Sequence, residues 1–394
     1  MTKLLLLEPD APGPEWAPFA HVRPVCELRA GIWRLRERWE QALDLRTAAI
    51  IGPETAGFSG EEDEPVVLPG ADMRGPIVVA DSRFALTTRR VAIDAGIRRL
   101  VNNGKPVAWV IPNGERFAPG APPSDGPDLE VDGVLIGGSV ALLDALETLL
   151  AADCELESAE SASATVPPAS VVLGDPSLVA AGNAQVEPGV VFDVRQGPVV
   201  LDDGAEVRHG ARLEGPLYVG PHTIVWGGSI RHSVIGPHCR VRGEVTDSIL
   251  LGYANKAHDG FLGHSVLGYW VNLGALTTTS NLKNTYGEVA LEVAGSRIPT
   301  GRQFVGTLFG DHVKTAIGTM LGTGTVVSVG ANLFGSEAVP KFVPPFAWGN
   351  ALRERVDEAS FLKVAGRAMP RRGVELTPER RHWLSAMHAR TSGT

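Results

Sequence analysis

The 394-residue sequence lacks a long apolar run, a cysteine pattern and a basic excess. Its three cysteines show no CxxC spacing, which argues against a disulfide framework and against a cysteine-based zinc site. Four consecutive leucines near the N-terminus are too few for a signal peptide or a membrane span, and no later window is long and apolar enough. We therefore expect a cytoplasmic protein without a membrane partner.

Phosphate-binding signatures are also missing. The net charge of −9 argues against nucleic acid as a partner, because neutralising a phosphate backbone requires a basic face. The first strand is not followed by GxGxxG, and GxxxxGK[ST] occurs nowhere. A small anionic ligand held by a local group of Lys and Arg remains compatible with this charge.

The chain is long enough for two or three domains, and its 46 glycines and 29 prolines indicate many tight turns. In the first third, strand-like and helix-like segments alternate, which predicts an α/β domain over residues 1–152 with a largely parallel sheet. The apolar positions Leu28, Ile32, Leu35 and Trp39 indicate one helical face. The predicted strands are 3–7, 48–51, 76–80 and 107–111, and further helices are expected at 94–103 and 140–152.

Three residues of this domain are candidates for nucleotide contacts. Arg23 and Arg29 lie at the start of the expected helix, where they could meet a phosphate or form a solvated helix edge. Asp81 follows a predicted strand, and ligands of α/β sheets bind at the carboxyl ends of strands. A turn or cap role for Asp81 is the alternative. Residues 153–170 are small and acidic, so we expect a linker there.

After residue 170 the period changes to six. Aliphatic anchors recur at Leu201, Val207, Leu213, Val219 and Val225, and later sets follow after shifts of register. Small residues and glycines recur at fixed offsets from these anchors, which supplies tight turns. Such a repeat predicts a parallel β-helix over residues 171–348. A helical tail is expected over 349–394, with helices at 352–364 and 377–390.

Polar segments interrupt the repeats between residues 251 and 284. The segments NKAHDGF and SNLKN carry Lys256, His258, Asn281 and Lys283, and a long non-repeating excursion follows. A stacked repeat tolerates such departures only where they are covered or used, so we interpret this stretch as an active-site band.

This stretch resembles the acetyltransferase half of the GlmU family, which combines glucosamine-1-phosphate N-acetyltransferase and UDP-N-acetylglucosamine diphosphorylase activities. The closer resemblance is to a bacterial variant with a short N-terminal domain, described as sugar nucleotidyltransferases. It rests on RPVCELRAGIWRLRERW, NKAHDGFLGH, GDHVKTAIGTMLGTGTVVSVGANLFG and FVPPFAWG. The resemblance implies a left-handed β-helix, a homotrimer with sites between subunits, and acetyl-CoA as co-substrate.

The resemblance also implies roles for individual residues. His258 matches the general base, Phe261 stands where the family usually has a tyrosine, and Asn281 matches an asparagine that contacts the amino sugar. Lys314 and Thr315 match a pair at the edge of the acyl-donor groove. The family's basic pair for phosphate has no clear counterpart here, and the candidates are Arg240, Arg242, Lys256 and Lys283.

The chemistry of N-acetylation fits these residues. The reaction must remove a proton from an ammonium group so that the amine attacks a thioester, and a histidine with a pKa near neutrality suits that step. The expected substrate is glucosamine 1-phosphate or a related amino-sugar phosphate. Uridylyl transfer from UTP with Mg²⁺ would be a second activity of the N-terminal domain, but the family's LAAGxGTRM loop is missing. That domain is therefore either a divergent active domain or a nucleotide-sugar-binding module.

Two other classes of protein remain open. Zinc could be held between subunits, as in proteins similar to gamma-class carbonic anhydrases, by some of the histidines at 222, 232, 238, 258, 264 and 312. The six-residue spacing of His258 and His264 differs from that class. A structural trimerisation scaffold is the other alternative, and it predicts no binding of acetyl-CoA.

Overall fold

A computed structural model describes residues 2–62, 65–160 and 166–392. Its N-terminal part is an α/β domain around a seven-stranded sheet. Four neighbouring strands, from Ile77–Asp81 to the edge strand Val67–Leu68, run parallel to one another. The strand Lys105–Ile111 runs antiparallel to both of its neighbours. The strands, in spatial order, are Asp128–Glu130, Arg99–Asn102, Lys105–Ile111, Ile77–Asp81, Lys3–Leu7, Thr47–Ile51 and Val67–Leu68.

The four strands predicted for this domain are confirmed within two residues, but the helix predicted at 94–103 is wrong. That segment contains the strand Arg99–Asn102, which forms a hairpin with Lys105–Ile111. Asn103 and Gly104 both have positive φ, as the turn of a two-residue hairpin requires. The dipeptide Asn-Gly was the signal for this turn. A second small sheet pairs Phe84–Leu86 with Gly133–Leu135.

The helical face predicted from Leu28 to Trp39 is only partly correct. Helix α1 spans Leu35–Leu43 and buries Leu35 and Trp39. Upstream, the chain forms a tight hairpin of Arg29–Ala30 and Trp33–Arg34, in which Gly31 has a φ of 69°. All four apolar residues are nevertheless buried, because the hairpin turns them toward the same core.

Helix α2 spans Ala141–Glu160 and so extends eight residues into the segment expected as a linker. Asp153 explains the extension, because its buried carboxylate accepts hydrogen bonds from Arg38 and from the Ile32 amide. Cys154 is fully buried on the same helix. Residues 161–165 of the expected linker lie outside the described residues. The domain boundaries at 152 and 170 stay predictions.

Residues from Val171 onward form the expected parallel β-solenoid, consistent with a left-handed β-helix. Rungs stack so that each short strand pairs in parallel with the strand one turn later. One face consists of nine strands: Val179–Ala180, Val199–Leu201, Leu217–Val219, Val234–Ile235, Ile249–Leu250, Val266–Leu267, Thr307–Phe309, Thr325–Val327 and Phe342–Val343.

The other two faces share one sheet, because two long strands continue around a bend. Those strands are Ile224–Arg231 and Arg240–Thr246. The second face also contains Gln185–Val186, Glu206–Val207, Asn255–Lys256, Asn272–Leu273, Lys314–Thr315, Asn332–Leu333 and Ala347–Trp348. The third face also contains Val171–Leu173, Val191–Asp193, Ala211–Glu214, Phe261–Gly263, Thr278–Thr279 and Met320–Leu321. The five repeat anchors from Leu201 to Val225 are all buried.

Each corner of the solenoid stacks residues with positive φ. We name the corners by their side chains. The glycine corner contains Gly227, Gly243, Gly260, Leu276 and Gly318. The aromatic corner contains His222, His238, Tyr253, Trp270, His312 and Phe346. The serine corner contains His232, Asp247 and His264, each followed by a serine.

The predicted excursion after Asn281 includes a β-hairpin of Ala290–Val293 and Ser296–Pro299. Its buried residues Val289, Leu291 and Val293 join the hydrophobic cluster that includes the core of the N-terminal domain. Arg302, beyond the hairpin, pairs with Asp144 and Glu147 of α2. The excursion therefore ties the solenoid to the N-terminal domain.

The C-terminal tail covers one edge and one corner of the solenoid. The strand Glu354–Arg355 pairs with the last rung and caps its edge. Helix α3 (Glu358–Ala368) starts six residues later than predicted, because Asp357 is its N-cap. Helix α4 (Pro378–Thr391) lies within one residue of its predicted bounds, and Thr377 is its N-cap. Single-turn helices complete the chain at Pro14–Trp16, Val25–Glu27, Pro53–Thr55, Pro176–Leu178 and Met369–Arg372.

A buried ion pair joins the N-terminal domain to the solenoid. The Arg23 guanidinium donates to Asp311 at 2.9 and 3.2 Å and to Glu61 at 3.2 Å. It also lies 3.8 Å from the ring centre of Tyr269. Arg29 donates from Nε to the carbonyl oxygen of Leu251 at 3.2 Å. Through these two arginines the domain docks on the aromatic corner.

We predict that Arg23→Ala lowers the free energy of unfolding by about 3–5 kcal/mol, because Asp311 is left buried without its main cation. Urea unfolding followed by circular dichroism measures the change. The control is Arg46→Ala, whose side chain is 93% exposed and lies 3.7 Å from Glu40, and it should cost less than about 1 kcal/mol. Equal losses in the two variants would contradict a docking role for Arg23.

Candidate active site on the solenoid

His258 lies on the solenoid surface next to the glycine corner. Its side chain is exposed, and among the described residues no hydrogen bond holds the imidazole. The adjacent Asp259 accepts a hydrogen bond from Arg242 Nε at 3.2 Å, and its carbonyl oxygen accepts one from the Leu276 amide at 3.0 Å. The main chain around His258 is therefore fixed while the ring remains open to a ligand.

Lys256 fixes the main chain from inside the solenoid. Its Cα register places it in the column of anchors that includes Val241, and the residue is only 2% exposed. The ammonium group donates to the carbonyl oxygens of His258 at 2.5 Å and Arg242 at 2.7 Å. Burial lowers the pKa of Lys256 to about 8, against the raising effect of Asp259. Lys256 therefore anchors His258, and its ammonium does not face a phosphate site.

Phe261 and Asn281 meet over Gly263, at the other end of the strand Phe261–Gly263. A Cβ atom built on Gly263 would lie 2.4 Å from the Phe261 ring and 2.8 Å from Asn281 Nδ2. The absent side chain thus leaves the space in which the aromatic ring and the carboxamide meet. The structure brings Phe261 and Asn281 together at Gly263, and their predicted contacts with the sugar stay predictions.

The serine corner fixes the backbone at Gly263. Ser233, Ser248 and Ser265 each donate from Oγ to the carbonyl oxygen two residues earlier, at 2.7–2.9 Å. Each of these serine Oγ atoms also accepts an amide N–H of the next rung at 3.0–3.1 Å. This ladder stacks the preceding residues His232, Asp247 and His264 into one column.

Near Gly263, sequence reasoning missed Arg231 and considered His264 only as a candidate zinc ligand. Arg231 is exposed, donates from Nε to Thr246 Oγ1 at 2.9 Å, and shares its column with Thr246 and Gly263. His264 contacts Asn281 directly, with 2.9 Å between Nδ1 and Nδ2. The recurring pattern of His or Asp followed by Ser was the signal that could have aligned these residues.

The comparisons with known proteins agree with both parts of this architecture. The family model for sugar nucleotidyl transferases matches residues 5–85. A bifunctional sugar-1-phosphate nucleotidylyltransferase/acetyltransferase of Sulfurisphaera tokodaii is 29% identical over 160 residues, 38% of this chain and 38% of the relative. The bifunctional protein GlmU of Methanococcus vannielii is 32% identical over 119 residues, 30% of this chain and 26% of the relative.

The chain thus resembles GlmU-type proteins over part of its length. A third relative, the GlmU of Methanocaldococcus jannaschii, is 28% identical over 38% of this chain and 36% of its own length. The matched stretches thus span well under half of the relatives. No helix of the described residues is long and apolar enough to cross a membrane.

The basic candidates for phosphate contacts have different environments. Arg242 is half-exposed beside Asp259, within reach of the His258 segment. Lys283 donates to the carbonyl oxygen of Glu288 in the excursion. Arg240 donates to the carbonyl oxygens of His222 and Cys239, toward the aromatic corner. Their phosphate contacts stay predictions, and Arg242 is the best placed of the three.

The two residues predicted to lie at the acyl-donor groove, Lys314 and Thr315, have different environments. Lys314 donates to the carbonyl oxygen of His312 at 3.0 Å, and burial lowers its pKa to about 8. Thr315 is buried in the anchor column, where its hydroxyl lies 2.7 Å from Thr277 Oγ1. The Thr315 side chain is therefore committed to the core, and only its backbone could serve a ligand groove.

The three nucleotide candidates do not come together. Arg23 and Arg29 are buried at the solenoid interface, with their guanidinium groups bonded within the protein. Asp81 ends its strand as predicted, but its carboxylate accepts three hydrogen bonds from Arg83. The helix-start pattern could not distinguish a docking arginine from a phosphate-binding one. Within the described part of the chain, no group of three His, Cys, Asp or Glu residues could hold a metal ion.

We predict that Lys256 makes stability depend on pH in the alkaline range. Its pKa in the folded protein, about 8, lies below the unfolded value of 10.5. Between these values Lys256 is protonated more often in the unfolded chain than in the folded protein, so its contribution to the free energy of unfolding rises with pH. Below pH 8 that contribution is constant. Relative to Lys256→Met, the wild type should gain roughly 3 kcal/mol from pH 8 to pH 10.5.

Urea unfolding at several pH values measures this difference. The matched control is Lys105→Met, which removes an exposed lysine and should show no such gain. A flat difference between the wild type and Lys256→Met across this range would show that the ammonium is not desolvated.

Proposed function

We propose that the solenoid transfers an acetyl group from acetyl-CoA to the amine of glucosamine 1-phosphate or a related amino-sugar phosphate. The observation that carries the proposal is the exposed His258 imidazole on a main chain held by Lys256. The names of the similar proteins, which include acetyltransferase activity, support it. The reaction is thus assigned to the surface between the glycine and serine corners.

His258 is proposed as the general base. An ammonium group cannot attack a thioester until it loses a proton, and an accessible imidazole can accept that proton near neutral pH. The rigid main chain limits the positions that the ring can take, which favours a productive geometry. Collapse of the tetrahedral intermediate then releases coenzyme A as the thiol.

The surface around Gly263 is proposed to hold the sugar phosphate. Asn281 offers a carboxamide to the sugar, and Phe261 offers an apolar face without the hydroxyl of the usual tyrosine. Arg231 lies exposed on the same face, and an arginine is suited to bind a phosphate through paired N–H donors. Arg242, beside the His258 segment, is the second phosphate candidate.

A homotrimer is proposed because the surface near His258 is apolar. Leu276, Ile317 and Met320, on the rungs that follow, are 58%, 78% and 79% exposed. Exposed apolar groups of this kind mark interaction surfaces. A second copy that covers them would border the site, and Lys314 would then lie at the edge of a groove for acetyl-CoA.

We predict that His258→Ala lowers the rate of thiol release from acetyl-CoA about 10²–10⁴-fold with glucosamine 1-phosphate as acceptor. A thiol-reactive dye follows the reaction, and light scattering should give the mass of three chains for both proteins. His209→Ala is the matched control, because His209 is another exposed histidine of the solenoid next to a corner glycine. Undiminished turnover by His258→Ala would overturn the assignment.

The crevice of the N-terminal domain argues against uridylyl transfer as a principal activity. The carboxyl ends of the central strands are covered by the following loop, which leaves a cavity of about 10 Å³ lined by Glu8, Trp16 and Phe19. The Glu8 carboxylate accepts the amide N–H groups of Val25 and Cys26 at 2.6 and 3.2 Å. With Asp81 bonded to Arg83, the two carboxylates at these strand ends do not fit a Mg²⁺ site.

We predict no pyrophosphate release from UTP and N-acetylglucosamine 1-phosphate with magnesium, because the loop would have to leave the crevice first. A coupled phosphate assay with pyrophosphatase measures the product, and thiol release by the same preparation shows that the protein is active. Turnover at the rate of acetyl transfer would restore the bifunctional alternative.

A further inference from the structure

Four side chains form a chain of contacts along the serine corner. Asn281 Nδ2 lies 2.9 Å from His264 Nδ1. On the other side of the ring, His264 Nε2 lies 3.8 Å from Asp247 Oδ2. His232 Nδ1 lies 3.6 Å from the second oxygen, Asp247 Oδ1. The Asp247 carboxylate thus stands between two imidazoles, and only one of them reaches Asn281.

The orientation of the Asn281 amide gives the tautomer assigned to His264. With Nδ2 toward the ring, Nδ1 is the acceptor and carries no proton, because a carboxamide nitrogen can only donate. The proton then resides on Nε2, which faces the negative Asp247. Thr246 Oγ1 donates to the same carboxylate oxygen at 2.6 Å and keeps it in place. The result is a fixed orientation of the Asn281 amide.

The surroundings of the ring favour this neutral tautomer. Burial is the largest influence and lowers the pKa of His264, while Asp247 raises it. The ring stacks on Phe304 at a centroid distance of 5.2 Å and an angle of 25°. The charged and titratable groups that face it are Asp247, His232, Arg231, Arg302 and Glu147.

The Asn281 oxygen is therefore left as a free acceptor. Among the described residues Oδ1 accepts no hydrogen bond, while Nδ2 is held by His264 beside Gly263. An amide that was free to rotate would offer a donor as readily as an acceptor at the position of the oxygen. With one N–H of Nδ2 bonded to His264, the orientation is fixed and that position offers a ligand an acceptor.

We propose that Asp247 and His264 are positioning residues that hold the Asn281 carboxamide with its oxygen toward the ligand, so that this point of the site selects a sugar phosphate that donates an N–H or O–H group. The inference rests on the proposed function for the identity of the ligand. Neither residue touches the reacting atoms, and their effect passes through Asn281.

The test compares His264→Phe with wild type. Phenylalanine keeps the stacking on Phe304 but removes the acceptor for Nδ2, so the amide can rotate. We expect the Kd for glucosamine 1-phosphate, measured by calorimetry, to rise about tenfold, the loss of one ordinary hydrogen bond. The KM for this substrate should rise equally, while kcat and the KM for acetyl-CoA change by less than about twofold.

His232→Phe is the matched control. It makes the same substitution at the same positive φ, on the other side of Asp247, without a contact to Asn281. Binding should then stay within about twofold of wild type, which is below the value of one hydrogen bond. Asp247→Asn keeps the shape of the side chain and should weaken binding less than His264→Phe. If His264→Phe does not fold, weaker binding by Asp247→Asn than by wild type supports the inference, and equal binding overturns it.

A second measurement does not depend on turnover. In protein with ¹⁵N-labelled histidine, the His264 signal, identified by its loss in His264→Phe, should be that of the Nε2–H tautomer at neutral pH. A proton on Nδ1, or a charged ring, would overturn the inference. Equal binding by His264→Phe and wild type would also overturn it while leaving acetyl transfer intact. If His264→Phe binds the sugar phosphate more weakly but the wild type releases no thiol, only the proposed reaction is overturned.

Discussion

The whole site depends on one constraint, which is that the backbone of every rung must repeat the rung before it. Parallel pairing keeps successive strands about 4.8 Å apart, so residues one turn apart in sequence become neighbours in a column. At the serine corner each hydroxyl bonds its own rung and the next one. That ladder stacks Asp247 and His264, which are 17 residues apart in the sequence, and Asn281, 17 residues after His264, contacts the same ring.

The same constraint explains why a charged residue can stand in the core. Lys256 replaces an aliphatic anchor, which would be costly for an unpaired ammonium group. Its long side chain instead reaches the carbonyl oxygens at the glycine corner, where the polar segment around His258 departs from the repeat. The interior cation and the surface imidazole are therefore parts of one feature, and the departure from the repeat is stabilised from within.

Much of the fold could be predicted, because a six-residue period and buried strands are properties of local sequence. Wrong assignments arose where one turn redirects the chain, as at Asn103–Gly104 and Gly31. The choice of Phe261 and Asn281 as neighbours could also be made from the sequence, since it follows from the motif. The roles of Lys256, Arg231 and His264 could not be predicted, because they depend on which way a side chain points and on partners a full turn away.

Arg23 shows why the N-terminal domain is harder to interpret than the solenoid. A helix-edge arginine is suited to a phosphate in an open crevice and to a carboxylate in a closed interface, since both are anions. Here the crevice is closed by the loop that carries Trp16 and Phe19, and the guanidinium meets Asp311 of the solenoid instead. The chemistry that would bind a nucleotide is thus used for docking. A domain held in this way supports the excursion through Arg302 and α2, and so reaches the rungs that carry Asn281.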